Sequence, residues 1–388
     1  MVAALGFPMS AESNEAQLAD ASPLVIETAY TGELWRNVSG GLRRDGTYLD
    51  NIDVIATLDA ERAWGLTGTT VLVSGLYNNR PTLSDRIVGD IQAVSNIDTD
   101  GASRLYEAWV ERAFDAGALK LGLMDLNSEF DVNETGALFV NSSHGIGPDF
   151  SQVGENGPSI FPITGLGAMV RWNLSERMEL RLAAFEGTVG DADHPRRTTV
   201  DLESDEGALL VGEITMRPTE ASRSILGVWR HTGRSSDHAD PEVQHRTESL
   251  GVYALAEGTL LNTEEHALNA FVRVGFADSD IHQVASYQGA GLTWSGPLLA
   301  GSDREEQLGL AIGKIDNGGK FRRAQAALGA TVERYETAIE LTYRVQYLPW
   351  LALQPDVQYI INPGTDPALK NALVIGLRFE LSWSNEPG

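Results

Sequence analysis

The sequence contains no cysteine, and this absence rules out several kinds of site at once. Without a thiol there is no disulfide framework, no thiolate metal site and no cysteine nucleophile. The chain also lacks an uninterrupted apolar run of about 18 residues, the length that a membrane-spanning helix needs. The absence of such a run does not exclude a membrane β-barrel, because a spanning strand needs only about 9–11 residues with alternate positions apolar.

Basic side chains are in the minority, since 29 Lys and Arg face 54 Asp and Glu, for a formal net charge of −25 in 388 residues. Nucleic-acid binding needs a basic stripe, so no nucleic-acid partner is expected. The acidity has two interpretations that stay open: solubility, or a preference for neutral or cationic solutes. The 40 glycines and 15 prolines lie mostly between alternating segments, as is typical of a protein of strands and turns.

The two ends of the chain differ from its middle. We interpret residues 1–26 as the remnant of a secretory signal followed by a flexible polar lead-in, although the basic start of a signal is missing. Residues 384–388 form a short polar tail. Between them, residues 27–383 are expected to form one barrel domain, because barrels commonly exceed the usual domain length.

Alternation of apolar and polar residues is the dominant pattern, and it is clearest near the end of the chain. In the segment 375–383, Ile375 and Leu377 share one face, whereas Arg378 and Glu380 share the other. Successive side chains of a strand point to opposite faces, so this ribbon has an apolar side and a charged side. Segments 337–347 and 351–361 repeat the pattern, which predicts β-strands.

Applied to the whole chain, this pattern predicts an all-β protein of about sixteen strands and no long helix. The predicted starts lie near Glu27, Thr47, Thr69, Ser103, Gly117, Ile163, Met178, Gly207, Ser222, Thr247, Ala267, Ser286, Glu305, Tyr335, Trp350 and Asn371. Short turns are expected after even-numbered strands and mostly longer, polar loops after odd-numbered ones, as in an antiparallel outer-membrane meander. The segment 315–320, IDNGGK, is predicted to be a hairpin tip.

The solvent on each side of the sheet decides between two architectures. A water-soluble fold would pack these strands as two sheets with large aliphatic side chains between them. A membrane barrel instead places aromatics near the strand ends, as Trp172, Tyr347, Tyr359 and Trp383 are placed here. Sixteen strands also leave an aqueous lumen, and closure removes the sheet edges that lipid does not tolerate. We therefore predict a transmembrane antiparallel β-barrel.

Several ordered segments resemble one known family. They are YTGELWRNVSGG (30–41), YLDN (48–51), RLYEAW (104–109), LNSEF (126–130), NSSHGIGPDF (141–150), GPSIFP (157–162) and LQPDVQYIINPG (353–364). Together they resemble the carbohydrate-selective porins of Gram-negative outer membranes, the glucose-porin type. The resemblance implies a sixteen-stranded outer-membrane barrel that passes mono- and small oligosaccharides. It also implies that the long polar segment 127–162, far beyond an ordinary loop length, folds into the lumen as its third loop.

Strand parity gives the residues expected to line the pore and contact sugar. The donors are Lys120, Arg171, Arg181, Arg273, Arg344 and Arg378; the acceptors are Glu33, Asp53, Glu107, Glu111, Glu340, Asp356 and Glu380; the stacking surfaces are Trp35 and Trp109. The resemblance adds Asn127, Glu129 and Asp131 at the narrowest point. The competing interpretation of any one of them is an ion pair between facing strands.

An enzyme is the least favoured interpretation. Ser142, Ser143, His144 and Asp149 have the side chains of a triad, but no Gly-x-Ser-x-Gly elbow surrounds either serine. We expect no catalytic residue, no metal site and no cofactor. The acidic segments 98–101, 191–194 and 278–280 lack the full calcium loop with its terminal Glu.

The sequence therefore predicts a passive sugar channel in the outer membrane of a Gram-negative bacterium, with small sugars and membrane lipid as partners. A general, weakly cation-preferring porin without a sugar site is the alternative, followed by a barrel lipase or esterase. A homotrimer is one of the assemblies open to such a barrel.

Overall fold

The segments with two-residue alternation form sixteen antiparallel strands, which close into one barrel in the computed structural model. Each strand pairs with its neighbours in the chain, and the first pairs with the last to complete the ring. The structure describes residues 22–79, 83–154, 156–191, 197–200, 207–233, 238, 249–298 and 304–385. Most of the predicted signal remnant, part of the acidic segment 191–194 and the last three residues lie outside this part of the chain.

The strands are β1 Leu24–Ser39, β2 Gly46–Asp59, β3 Thr69–Asn78, β4 Ser103–Phe114, β5 Gly117–Met124, β6 Gly165–Ser175, β7 Met178–Glu186, β8 Ala208–Thr219, β9 Ser222–His231, β10 Ser249–Asn262, β11 Ala267–Ala277, β12 Val284–Ser295, β13 Glu306–Asn317, β14 Tyr335–Leu348, β15 Leu351–Ile361 and β16 Ala372–Ser384. The predicted barrel is confirmed, and its predicted starts differ from these by three residues at most. At the far end, Asn385 continues the pairing of β16, because its Oδ1 accepts from the backbone N–H of Ile26 at 2.8 Å.

The described parts of the connections contain three short α-helices, in addition to a π-helical turn and four 3₁₀ turns: α1 Ala60–Trp64, α2 Pro148–Ser151 and α3 Gly319–Ala327. Helix α1 begins where Asp59 accepts from the N–H of Arg62 at 3.0 Å, and it ends at Gly65, whose positive φ of 72° suits glycine. The hairpin tip predicted at 315–320 is wrong, because β13 continues to Asn317 and α3 follows. None of the helices that the structure describes is long and apolar enough to cross a membrane.

The two faces of the wall differ as the alternation predicts. Leu292, Leu310, Leu341, Val357 and Ile375 stand opposite one another on five neighbouring strands, and all are exposed. The opposite face, called the inner face below, carries buried polar pairs. On β1 and β16, for example, Glu33 faces Arg378, and both are buried, whereas the adjacent pair Leu34 and Leu377 is exposed. An apolar outside and a polar inside are typical of a membrane barrel.

The largest apolar core lies between the wall and the connection from β5 to β6. Phe130 and Phe150 of this connection are fully buried against inward aromatics of the wall. The Phe150 ring stacks on Trp229, with centroids 5.8 Å apart, and on Tyr253 at 5.5 Å. Trp229 in turn covers Gly251 of the neighbouring strand, where a Cβ would approach its ring carbons far too closely. Each fully buried aromatic stabilises this packing by about 1.5–3 kcal/mol.

Candidate channel lumen

The connection between β5 and β6, residues 125–164 and called loop 3 below, is held to the inner face by buried charges. Arg273 on β11 donates from Nη2 to Asp131 Oδ2 at 2.7 Å and from Nε to Asp131 Oδ1 at 3.2 Å. Its Nη1 also pairs with Asp149. All three side chains are buried, so two carboxylates of loop 3 depend on one wall cation. The N–H of Asp131 adds a further bond, to Glu213 Oε2 at 2.8 Å.

A second anchor holds the middle of loop 3 against β14 and β15. The fully buried carboxylate of Glu340 accepts from the N–H groups of Val140 at 2.6 Å and Asn141 at 3.0 Å. The Asn141 amide then bonds to Gln358 Oε1 at 3.0 Å. On β15, Gln354 donates to Leu138 O at 2.7 Å. These hydrogen bonds from two neighbouring strands fix this part of loop 3 in position.

A third anchor lies on β9 and β10. Glu257 accepts from the N–H of Thr135 at 2.7 Å and from that of Glu134 at 3.3 Å. Arg223 pairs with the same Glu257 and, through Nη1, with Glu134 Oε1 at 2.8 Å. It also donates to Val132 O at 2.6 Å. Loop 3 is thus bonded to the wall at these three places and, through Glu129, at Lys120 of β5 as well.

The connection between β3 and β4, residues 79–102 and called loop 2 below, reaches the same inner face. Glu336 on β14 accepts from the N–H groups of Ile91 at 2.9 Å and Gln92 at 3.0 Å. Loop 2 also bonds directly to loop 3, because Asn96 N donates to Val140 O at 2.9 Å and Ser142 N donates to Ala93 O at 3.0 Å. The sequence analysis predicted that loop 3 folds inward and made no such prediction for loop 2, whereas the structure joins the two loops by backbone hydrogen bonds.

Burial changes the titration of two groups in loop 3. It raises the pKa of Asp131 to about 6, because its desolvation outweighs the opposing effect of Arg273. It lowers the pKa of His144 to about 3, since the imidazole is buried and its Nε2 has no hydrogen-bond partner. His144 is therefore neutral at physiological pH and packs between the rings of Phe139 and Phe271.

The four residues with triad chemistry do not form a relay. Ser142 donates to Ser95 O at 3.2 Å, and Ser143 donates to Asn141 Oδ1 at 2.7 Å. His144 Nδ1 lies 3.4 Å from the Tyr287 hydroxyl, and Asp149 pairs with Arg273. Each of these described side chains thus serves the packing of loop 3, and a Ser–His–Asp chain is absent among them.

A cavity of about 1090 Å³ lies beside the joined loops, between them and the inner face. Eight of the predicted pore residues border it: Asp53, Glu107, Trp109, Lys120, Glu129, Arg344, Arg378 and Glu380. Lys120 Nζ lies 3.8 Å from the centroid of the Trp109 ring and 2.7 Å from Glu129 Oε1. Mixed charge and aromatic surface therefore occur together in this lining.

The other ten predicted residues do not border that cavity, and most of them hold the architecture around it. Seven are buried: Glu33, Trp35, Asn127, Asp131, Arg273, Glu340 and Asp356. The other three, Glu111, Arg171 and Arg181, are partly exposed. Glu111 pairs with Arg171 at 3.3 Å, and Arg181 pairs with Glu179, a residue that was not predicted, at 2.8 Å. Glu33 holds Arg378 in place, accepting from its Nε at 2.6 Å and from Trp35 Nε1 at 2.5 Å.

Several residues that border the cavity were missed by the sequence analysis, among them Asn96, Glu134, Arg223 and Glu257. On β9, both faces carry apolar residues, because Ile225 and Trp229 point inward with Arg223. Alternation alone therefore gave no signal for the direction of Arg223. Asn96 belongs to loop 2, where no strand parity exists.

A bulge in β4 also changes which residues point inward. The pairing shifts between Ser74 and Gly75, so Tyr106 is left between the paired residues Leu105 and Glu107. As a result, Arg104 and Tyr106 are buried before the bulge, and Glu107 and Trp109 border the cavity after it. A bulge that re-aims side chains in this way is common next to functional sites.

Comparison with known proteins places this barrel in a family. The family model described as "Carbohydrate-selective porin, OprB family" matches residues 43–383. The chain is 23% identical over 394 residues to Porin B of Pseudomonas aeruginosa, covering 90% of this chain and 86% of that protein. Its fold is similar to the high-pH structure of Pseudomonas putida OprB, with a TM-score of 0.81 at 20% identity, covering 95% and 96% of the two chains. The channel DcaP of Acinetobacter baumannii is more distant, with a TM-score of 0.57 at 10% identity over 93% and 97%.

The matched region includes every strand from β2 to β16, together with loops 2 and 3. It therefore covers both the wall and the cavity. The family and its relatives are channels of the Gram-negative outer membrane rather than enzymes. This chain belongs to the OprB family of carbohydrate-selective porins and is an outer-membrane channel for sugars.

Proposed function

We propose that mono- and small oligosaccharides diffuse passively through this barrel, along the cavity between the joined loops and the inner face. The observation that carries the proposal is the lining of that cavity, in which Trp109 stands among charged donors and acceptors. Sugar hydroxyls require paired hydrogen-bond donors and acceptors, and sugar C–H faces stack on aromatic rings. A lumen of this composition can exchange hydrogen bonds with a passing sugar without holding it tightly.

We infer that loop 3 lies in the lumen and narrows it. Its anchors support this placement, because Arg273, Glu257 and Glu340 belong to β11, β10 and β14, and Lys120 on β5 pairs with Glu129 of the same loop. These strands are spread around the ring. A segment that bonds to all of them has to cross the interior of the barrel.

The pore-lining role extends to the eight predicted residues at the cavity. Lys120, Arg344 and Arg378 would donate to sugar oxygens, whereas Asp53, Glu107, Glu129 and Glu380 would accept from hydroxyls. The ten predicted residues away from the cavity would act indirectly, by holding loop 3 or the lining residues. Of these, Glu33 and Arg273 have the most extensive bonding.

The exposed aliphatic face is proposed to contact the lipid of the outer membrane. Its residues, such as Leu310 and Leu341, stand 53% and 48% exposed in the isolated barrel, which hydrocarbon would cover at no cost in hydrogen bonds. A homotrimer would bury part of this face between barrels. Native mass spectrometry of the detergent-extracted protein distinguishes a monomer from a homotrimer by the threefold difference in mass.

Bilayer recording with a sugar titration tests the sugar pathway. Glucose or a short maltodextrin at millimolar concentration should reduce the single-channel current, and Trp109→Ala should weaken this block. Trp172→Ala is the matched control, because Trp172 is 52% exposed on the outward face of β6. If no sugar reduces the current, the general, weakly cation-preferring porin replaces this proposal.

A further inference from the structure

The cavity has more acidic than basic lining, as judged from the residues that the structure describes. Five cationic side chains border it, and ten carboxylates do so. The cationic residues are Lys120, Arg217, Arg223, Arg344 and Arg378; the acidic ones are Glu27, Asp53, Glu107, Asp125, Glu129, Glu134, Glu220, Glu257, Glu305 and Glu380. The excess of carboxylates over cationic side chains therefore lies at the proposed sugar pathway itself. The net charge of the whole chain does not show where its acidic residues are located.

Pairing leaves little positive charge for a passing solute. Four of the five cationic side chains each form an ion pair with a carboxylate. Lys120 lies 2.7 Å from Glu129, and Arg344 lies 3.0 Å from Glu380. Arg223 pairs with Glu134 and Glu257, and Arg378 pairs with the buried Glu33. The attraction of these cations for an anionic solute is therefore largely cancelled.

Two carboxylates of the cavity lining, Asp53 and Glu107, accept hydrogen bonds from neutral donors instead of from cationic side chains. Asp53 on β2 accepts from the Asn51 amide at 2.5 Å. Glu107 on β4 accepts from Trp109 Nε1 at 3.2 Å and from the N–H of Asp125 at 3.1 Å. Only β3 separates their strands, so the two backbones are roughly 10 Å apart. Both side chains border the cavity beside the Trp109 ring.

We propose that Asp53 and Glu107 set the charge preference of the channel, favouring sugars that carry a protonated amino group over neutral sugars and disfavouring sugar acids and sugar phosphates. An amino sugar keeps the hydroxyls and C–H face of a neutral sugar, so the rest of the pathway serves both. Its ammonium group gains attraction from two carboxylates that form no direct ion pair with a described side chain. This inference rests on the proposed passage of sugars through the cavity.

The test is flux through proteoliposomes at neutral pH, with glucose, glucosamine and glucuronate as probes of nearly equal size. The wild-type protein should pass glucosamine faster than glucose, and glucose faster than glucuronate, by roughly fivefold for each unit of charge, as expected at contact distances in water. In D53N/E107Q both ratios should fall toward one. The control E264Q/E265Q removes two charges from the exposed turn between β10 and β11 and should leave the ratios unchanged.

A salt titration tests the same inference without a substitution. Raising the ionic strength from about 0.1 M to 1 M shortens the Debye length from about 10 Å to 3 Å, so the ratios should fall toward one in the wild-type channel. Equal flux of the three probes at low salt overturns the charge preference while leaving sugar passage intact. Ratios that D53N/E107Q does not change overturn the assignment to these two residues. No flux of glucose at all refutes the proposed function itself.

Discussion

Removal of the Arg273 charge should release loop 3 without unfolding the barrel. Arg273→Met keeps an unbranched, flexible side chain of similar length but leaves Asp131 and Asp149 buried without their cation, at 2% and 1% exposure. Breaking a buried ion pair by removing one partner costs about 3–5 kcal/mol. A cost of this size shifts the balance between docked and released loop by roughly two to three and a half orders of magnitude.

The barrel should survive the same change because its stability comes from elsewhere. Each strand keeps the backbone pairing to both neighbours, and Arg273 contributes its side chain only to the contact with loop 3 and the rings beside it. We therefore expect heat-modifiable migration on gels to persist. Single-channel conductance should rise and become noisier, and the current block by sugar should weaken.

Two further variants make this experiment decisive. Arg43→Met breaks the Arg43–Asp45 pair, whose side chains are 54% and 53% exposed, and exposed pairs contribute about 0–1 kcal/mol. It should leave the conductance unchanged. Adding Asp131→Asn and Asp149→Asn to Arg273→Met removes the stranded charges and should restore part of the closed conductance. If Arg273→Met conducts like the wild type, the reasoning that loop 3 depends on this cation is wrong.

Three other perturbations should give equally clear results. Acid should weaken the contribution of His144 to the docking of loop 3, because a released His144 takes up a proton at its ordinary pKa of 6.5 while the docked one, with its pKa lowered to about 3, does not. This contribution falls by about 2.3 kcal/mol between pH 6.5 and 4.5, whereas protonation of docked Asp131, whose pKa is raised to about 6, favours docking over the same range; conductance should therefore rise more in the wild type than in His144→Phe. Leu310→Arg should destabilise the folded barrel in bilayers by about 2–4 kcal/mol in urea titrations, whereas the same change at the exposed Leu328 of the β13–β14 connection should have little effect. Gly251→Val should lower the midpoint of thermal unfolding, since its Cβ would meet the Trp229 ring at 2.2 Å; an unchanged midpoint would show that the ring can move aside.

The strands were predictable from the sequence because lipid and water impose opposite demands on the two faces of a barrel wall. At β16, where Leu377 is exposed and Arg378 is buried, nothing but alternation is needed to find the strand and its faces. The prediction holds as long as the inner face meets water. It loses its basis where another part of the chain covers that face.

The side chains at the candidate site were less predictable for this physical reason. The large aromatics Trp229 and Tyr253 are accommodated on the inner face because Phe150 of loop 3 packs against them, and alternation within β9 and β10 contains no information about a distant loop. The bulge at Tyr106 depends on the partner strand β3, which a single strand does not encode. Helix α3 begins at a pair of glycines, Gly318 and Gly319, and so resembled a turn, although the residues from Lys320 onward include good helix formers.

If loop 3 narrows the lumen as proposed, the backbone bonds between loops 2 and 3 limit how the width of the channel can change. Because Asn96 donates to Val140 O and Ser142 donates to Ala93 O, neither loop can be shortened without leaving donors or acceptors of the other unsatisfied. Deletion of either loop alone should therefore disturb both, and its effect on permeability cannot be attributed to the missing residues. Natural or engineered variants with a wider or narrower channel should therefore carry matched changes in loops 2 and 3. A change in one loop alone should not be enough to set a new channel width.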